Sequence, residues 1–231
     1  MNVLLLSMPD SFEHMPPVAI RMPNGALASL AGNVDPHHRV AIADLILVQS
    51  AVRETVERLV RELQPDIVGL SVMTFQRATA LRIARLVREL RPPARLVAGG
   101  YDPSLAPEAY ESCPDIDFLV RGEGEQTLCE LLRALERGDA ASLARIAGLS
   151  FRGAPSAEPR VCVPFTHNAA RPVAPLARDV LRLPNRAARA LAGYTLLGRR
   201  VDVVETSRGC TYDCSFCSII EMRGRNFHPY P

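Results

Sequence analysis

The sequence has no lysine and no tryptophan: all 27 basic residues are arginine, and aromatic residues make up 5% of the 231 positions. Without lysine there is no Schiff-base nucleophile, no pyridoxal-phosphate anchor and no Walker-type phosphate lysine. No apolar run approaches the roughly 18 residues of a membrane-spanning helix. The opening Met-Asn-Val-Leu-Leu-Leu has no basic flank and reads as a strand rather than a signal peptide, so the expected setting is cytoplasmic and reducing. Hydrophobic residues, at 48%, support a core and argue against disorder. At roughly 100–200 residues per domain, the length allows one large domain, or one plus a fragment.

Formal charge is +2, but it is unevenly spread. Residues 1–144 hold 14 arginines against 19 acids (net −5), residues 145–208 hold 11 against 4 (net +7), and residues 209–231 balance at 2 and 2. The basic middle is rich in proline and alanine and nearly free of interleaved aromatics. That pattern favours a solvated linker or a surface docked on a neighbouring domain over a nucleic-acid interface.

Short apolar runs at 2–7, 39–44, 66–72, 95–98 and 116–121 are β-branched or leucine-rich and bounded by Pro, Gly or Asp, as buried parallel strands are. Helical stripes lie between them. Val52, Val56, Leu59, Val60 and Leu63 share one helix face that stops before Pro65, and Leu81, Ala84, Val87 and Leu90 share another that ends at Pro92. Leu128, Leu131, Leu132 and Leu135 mark a third, ended by Gly138. Alternation at this spacing predicts an α/β, doubly wound parallel sheet of flavodoxin-like type over residues 1–145. A small hairpin (147–152 with 160–163) and a Pro/Arg-rich linker follow within 146–198. A new strand at 200–206 then opens a unit at 199–231.

That strand runs into Cys210-Thr-Tyr-Asp-Cys214-Ser-Phe-Cys217. Three thiols on one loop can converge on one metal centre, and three thiolates on a four-iron cluster leave one iron open to a substrate or cofactor. A zinc site completed by His228 is the competing reading, although zinc sites usually pair two Cys-x2-Cys halves. A disulfide set does not suit a reducing setting. Cys113, Cys129 and Cys162 are scattered and read as buried small hydrophobes.

Arg208-Gly209-Cys210-x3-Cys214-x-Phe216-Cys217 resembles the signature of the radical S-adenosylmethionine enzymes. The resemblance implies a 4Fe–4S cluster on Cys210, Cys214 and Cys217, with S-adenosyl-L-methionine chelated at the open iron and Phe216 near its adenine. It also implies that 200–206 is the first strand of a partial TIM-like barrel. Ahead of it, Asp66-Ile-Val-Gly-Leu-Ser71-Val-Met73, Leu96-Val-Ala-Gly99-Gly100 and Leu119-Val-Arg-Gly122-Glu-Gly-Glu125 resemble the cobalamin-dependent branch of that superfamily. Each stretch sits at the C-terminal end of a proposed strand, where open α/β sheets bind ligands. By resemblance Ser71, Met73, Gly99, Gly100 and Gly122 would line a cobalamin site. Plainer roles stand beside these: Ser71 capping a helix, the glycine pair making a turn, and the acids complementing a helix dipole. Asp35-Pro36-His37-His38-Arg39 begins like the Asp-x-His-x-x-Gly motif that supplies an axial histidine to cobalt, but Val40 stands where the glycine is needed. No protein imidazole on cobalt is expected, and His37 and His38 read as surface residues.

The resemblance implies radical chemistry, methyl transfer or a related reaction, on a small-molecule substrate with an external electron donor. Alternatives are a cobalamin-binding or docking module without its own catalysis, and an iron–sulfur electron-transfer protein. A complete barrel needs about 200 residues or more, so the sequence reads as stopping short of most of one. The expectation is that this chain alone is inactive, or that another chain supplies the missing part.

Overall fold

The computed structural model describes residues 1–9, 20–153, 162–173 and 181–230. Strand β1 (Asn2–Ser7) sends Leu4 and Leu6 into one hydrophobic cluster and Val3 and Leu5 into another. A strand covered by helices on both faces needs this period of two. After β2 (Ile20–Arg21) comes α1 (Gly25–Asn33), started by Asn24, whose side chain accepts a hydrogen bond from the Leu27 N–H. Strand β3 (Arg39–Asp44) leads through a 3-10 segment to α2 (Val52–Leu63). That helix ends where Gln64 turns left-handed (φ 45°) before Pro65. Strand β4 (Ile67–Ser71), α3 (Arg77–Leu90), β5 (Arg95–Gly99), α4 (Tyr101–Leu105), β6 (Phe118–Val120) and α5 (Gly124–Glu136) complete the alternation.

Strands β3, β1, β4, β5 and β6 pair in parallel in that order. The order is flavodoxin-like, with its reversal point beside β1. Buried residues of α2 and α3 pack with one cluster, and those of α1 and α5 with the other, so helices cover both faces.

Several expectations change outside the parallel strands. After α6 (Ala140–Leu143), β7 (Leu149–Phe151) joins the same sheet antiparallel to β6, and β8 (Thr166–His167) pairs antiparallel with β7. The sheet is therefore mixed, and β7 pairs with Thr166–His167 rather than with 160–163, of which 160 and 161 lie outside the described residues. The polar face of β7 explains the pairing: buried Ser150 is held by His167 Nδ1 at 2.8 Å.

Of its two readings, the basic segment takes the docked one at several points, while Leu183 and Leu197 stay exposed. Phe165 and Tyr194 are buried, Asn185 N–H donates to Ala28 O at 2.8 Å, and Ala190 N–H donates to Ile42 O at 2.7 Å. Arginines that looked like a solvated charge run find carboxylates, Arg189 on Asp202 and Arg171 on Glu130. Strand β9 (Thr195–Leu196) joins β2 and β10 (Arg199–Arg200) in a small sheet.

Residues 201–206 form no strand. The pairing begins instead at β11 (Ser207–Cys210), followed by α7 (Ser218–Arg223) and β12 (Asn226–Pro229), which is antiparallel to β11. The chain returns after α7, so β12 supplies β11 with an antiparallel partner across the cysteine loop. Cys113 and Cys129 are buried as expected, but Cys162 is exposed, its thiol facing Ser112 O at 3.4 Å. His38 is also misjudged as a surface residue. It is 6% exposed, because the Met1 ammonium donates to its Nδ1 at 3.1 Å and draws the ring under the chain start.

Candidate functional site

A cavity of about 480 Å³ opens at the C-terminal ends of β4, β5 and β6. Ser71, Met73, Gly99, Gly100 and Gly122 all border it, so the fold brings these five sequence-selected residues to one place. Its opposite wall is the cysteine segment, through Ser207, Arg208, Gly209, Ile219, Met222 and Arg223. Apolar side chains such as Leu5, Leu27, Val97 and Leu128 form much of the rest. An apolar recess with a few convergent polar groups is the usual form of a small-molecule site.

Individual roles differ from residue to residue. Ser71 caps no helix; its hydroxyl accepts from Asn24 Nδ2 at 3.3 Å, and the Asn24 N–H in turn donates to Asp44 Oδ2 at 3.3 Å. Asp44 is buried and also receives Ser7 Oγ and Tyr194 Oη, each at 2.6 Å. Burial and that carboxylate push the Tyr194 hydroxyl up, so Tyr194 donates rather than ionises. This network ties the ends of β1 and β3 and the start of α1 to the rim of the cavity at Ser71.

Gly100 has φ +102°, and a Cβ there would lie 2.8 Å from Val72 O, so glycine is required by the turn itself. Gly99 is different: a Cβ would meet Val120 only at ordinary contact, 3.5 Å. Met73 is 40% exposed on the rim. Next to the glycine pair, Asp102 is fully buried and takes Arg77 in a fork at 2.8 and 2.6 Å and Tyr110 Oη at 2.6 Å. This arrangement holds the short helix α4 at the cavity edge.

The acids after β6 do more than complement a helix dipole. Glu125 faces Arg208 at 2.6 Å and Ser29 Oγ at 2.6 Å, with both charged side chains nearly enclosed. Burial alone would raise the Glu125 carboxyl, but the Arg208 guanidinium and the Ser29 hydroxyl hold it below the usual carboxylate range. Glu123 pairs with Arg223 and lies 3.6 Å from Arg208. Two arginines flanking the cysteines are thereby fastened to the rim of the sheet domain. Sequence reasoning missed this fastening; the signal was an acidic pair and an arginine before the first cysteine, about 80 residues apart.

The cysteines lie beyond this fastening. Cys210 ends β11, Cys214 sits in the turn and Cys217 precedes α7, with Cys217 N–H donating to Cys214 O at 3.0 Å. Cys210 and Cys217 are half-buried, Cys214 is exposed, and none is in a disulfide. Among the described residues, the one set of three potential ligands within 4.8 Å is His37, His38 and Glu136; the three loop thiols are not gathered that closely. Phe216 is 90% exposed and does not line the cavity. The donor chemistry still fits an iron–sulfur cluster, since three free thiols share one short loop.

Residues 13–132 match the B12 binding domain family. The chain belongs to that family. In this B12 binding domain the cavity lies at the strand ends beside the sheet's reversal point, where open α/β sheets bind ligands. Over 94% of its length it is 31% identical to an uncharacterized methyltransferase of Pyrococcus horikoshii, and over 88% it is 33% identical to an anaerobic magnesium-protoporphyrin IX monomethyl ester cyclase of Cereibacter sphaeroides. It spans 45% and 31% of those proteins' lengths. Among solved structures it resembles the cobalamin-dependent S-adenosylmethionine radical enzyme OxsB with aqua-cobalamin and S-adenosylmethionine bound. That match has a TM-score of 0.72 at 23% identity, covering 99% of this chain and 30% of OxsB. In this B12 binding domain no helix is long and apolar enough to cross a membrane among the described residues.

Proposed function

We propose that this chain is the cobalamin- and cluster-binding part of a radical S-adenosylmethionine enzyme that carries out methyl transfer or related radical chemistry on a small molecule. One observation carries the reading: a single cavity is walled on one side by the strand ends of a B12 binding domain and on the other by the cysteine segment. A site shared in this way lets two cofactors work next to each other.

In this reading residues 1–145, with β7 and β8 added at the sheet edge, form the cobalamin domain. The rest of 146–198 connects, and residues 199–231 begin the radical domain, a partial barrel. Ser71, Met73, Gly99, Gly100 and Gly122 border the cobalamin site. Cys210, Cys214 and Cys217 would hold the 4Fe–4S cluster, and Phe216, now exposed, would turn toward the adenine of S-adenosyl-L-methionine. When bound, the cluster supplies an electron from an external donor and cobalamin a transferable methyl group. The chain's own residues bind and orient. Gly99 keeps the floor open, the apolar wall excludes water, and the Arg208–Glu125 and Arg223–Glu123 pairs hold the cysteine segment against the cavity.

Anaerobic reconstitution with ferrous iron, sulfide and hydroxocobalamin tests this reading. The expected product carries roughly four irons and one cobalamin per chain. Cys210→Ala, Cys214→Ala or Cys217→Ala loses the iron and keeps the cobalamin, whereas Cys113→Ala and Cys162→Ala keep both. Gly99→Val, which the backbone tolerates but which fills the cavity floor, loses cobalamin and keeps iron. Stoichiometric zinc without iron uptake, or cobalamin retention unaffected by Gly99→Val, overturns the assignment.

A further inference from the structure

At the other end of the sheet, by the start of β3 and the last turn of α5, His37, His38 and Glu136 each offer one ligand atom within 4.8 Å of the others. His37 Nε2 lies 3.0 and 3.1 Å from the two oxygens of Glu136. The two imidazole rings are neighbours at 4.0 Å between centroids, tilted by 50° rather than stacked. His38 is 6% exposed; its Nδ1 receives the Met1 ammonium at 3.1 Å, while its Nε2 is buried with no partner among the described residues. A buried ring nitrogen left without a hydrogen bond is costly unless something else satisfies it.

One cation touches the set, the Met1 ammonium at His38 Nδ1, so a metal held by Nε2 requires the other tautomer, with Nδ1–H donating to a neutral Met1 amine. Asp35 is taken by Arg133, at 2.6 and 2.8 Å, and by Arg182, at 3.4 Å, so these two cations are neutralised by a carboxylate outside the set. Glu136 keeps His37 as its partner and, among the described residues, forms no ion pair with an arginine.

We propose that His37, His38 and Glu136 form a binding site for a divalent transition-metal ion, separate from the cobalamin cavity and the cysteine loop. Two imidazoles and one carboxylate suit zinc, nickel or copper(II), whereas magnesium and calcium demand more oxygen ligands. The ion joins the C-terminal turn of α5 to the strand entry at β3, so its role is structural and does not depend on the reading of the cavity.

The test uses the full chain carrying Cys210→Ala, Cys214→Ala and Cys217→Ala, which removes thiols that would compete for zinc. Calorimetric titration with zinc chloride is expected to show one saturable site per chain. His37→Ala and Glu136→Gln, both at exposed positions and safe for folding, each weaken that site by about tenfold or more. With copper(II) in place of zinc, electron paramagnetic resonance shows imidazole nitrogen coupling that diminishes in His37→Ala. Absence of saturable binding, unchanged affinity in both variants, or copper spectra without nitrogen coupling overturns the site.

Discussion

Glu125→Gln tests whether the cysteine segment is held to the sheet domain by a charge pair rather than by contact alone. Glu125 and Arg208 are 6% and 9% exposed at the side chain and 2.6 Å apart. Removing one member of such a pair costs about 3–5 kcal/mol, because the other charge stays buried and uncompensated. Here the loss is expected near 2 kcal/mol: glutamine can still accept from Ser29, and the lost charge is only one of three facing Arg208. Arg208 retains Glu205 at 2.8 Å and Glu123 at 3.6 Å. Urea unfolding followed by circular dichroism reads the change. Arg208→Met alone orphans Glu125 and should cost a similar amount, while the double variant should cost less than the sum of the two by about 1–3 kcal/mol. The pH dependence has a defined sign. Because the folded carboxyl is held below its unfolded value, near 4.3, the pair's contribution is complete above that value and is lost as pH falls through the folded one. The stability gap between wild type and Glu125→Gln should therefore close in acid. Additive single effects, or a gap that persists unchanged in acid, would refute the reasoning.

Two further substitutions probe the rim of the cavity. Gly100→Ala forces a side chain onto φ +102° with its Cβ 2.8 Å from Val72 O, and should lower stability by about 1–3 kcal/mol in thermal unfolding. A neutral outcome there would mean that the turn relaxes freely. Asp102→Asn strips the charge from a fully buried carboxylate serving Arg77 and Tyr110, and should cost about 3 kcal/mol. Tyr110→Phe removes one hydrogen bond and should cost only about 1 kcal/mol by the same measurement. Equal losses for the two would show that the charge is not the larger effect.

Much of the α/β domain was legible locally. Strands at 2–7 and 39–44 and the helix at 52–63 have the expected bounds, because buried strands and amphipathic helices write their burial into the residue pattern itself. The glycine and serine positions at the strand ends were also readable, since parallel strands in this topology place their C-terminal ends together. The cysteine spacing was plain as well, being a property of one short loop.

What tertiary structure alone decided were the partners that lie far apart in sequence. Residues 200–206 have the β-branched content of a strand, but pairing went to Ser207–Cys210, which meets β12 after the chain returns through α7. Ser150 and His167 chose the strand that follows β7, and Tyr194 reached back to Asp44, which docks part of the basic segment on the sheet domain. Glu125 and Arg208 carry no periodicity that points from one to the other. Their pairing exists because the fold brings the start of α5 and the turn before the cysteines to the same rim, where neither charge can remain buried alone. Side-chain pattern determined which segments would be buried; packing in three dimensions determined which charge, hydroxyl or strand edge each of them would meet.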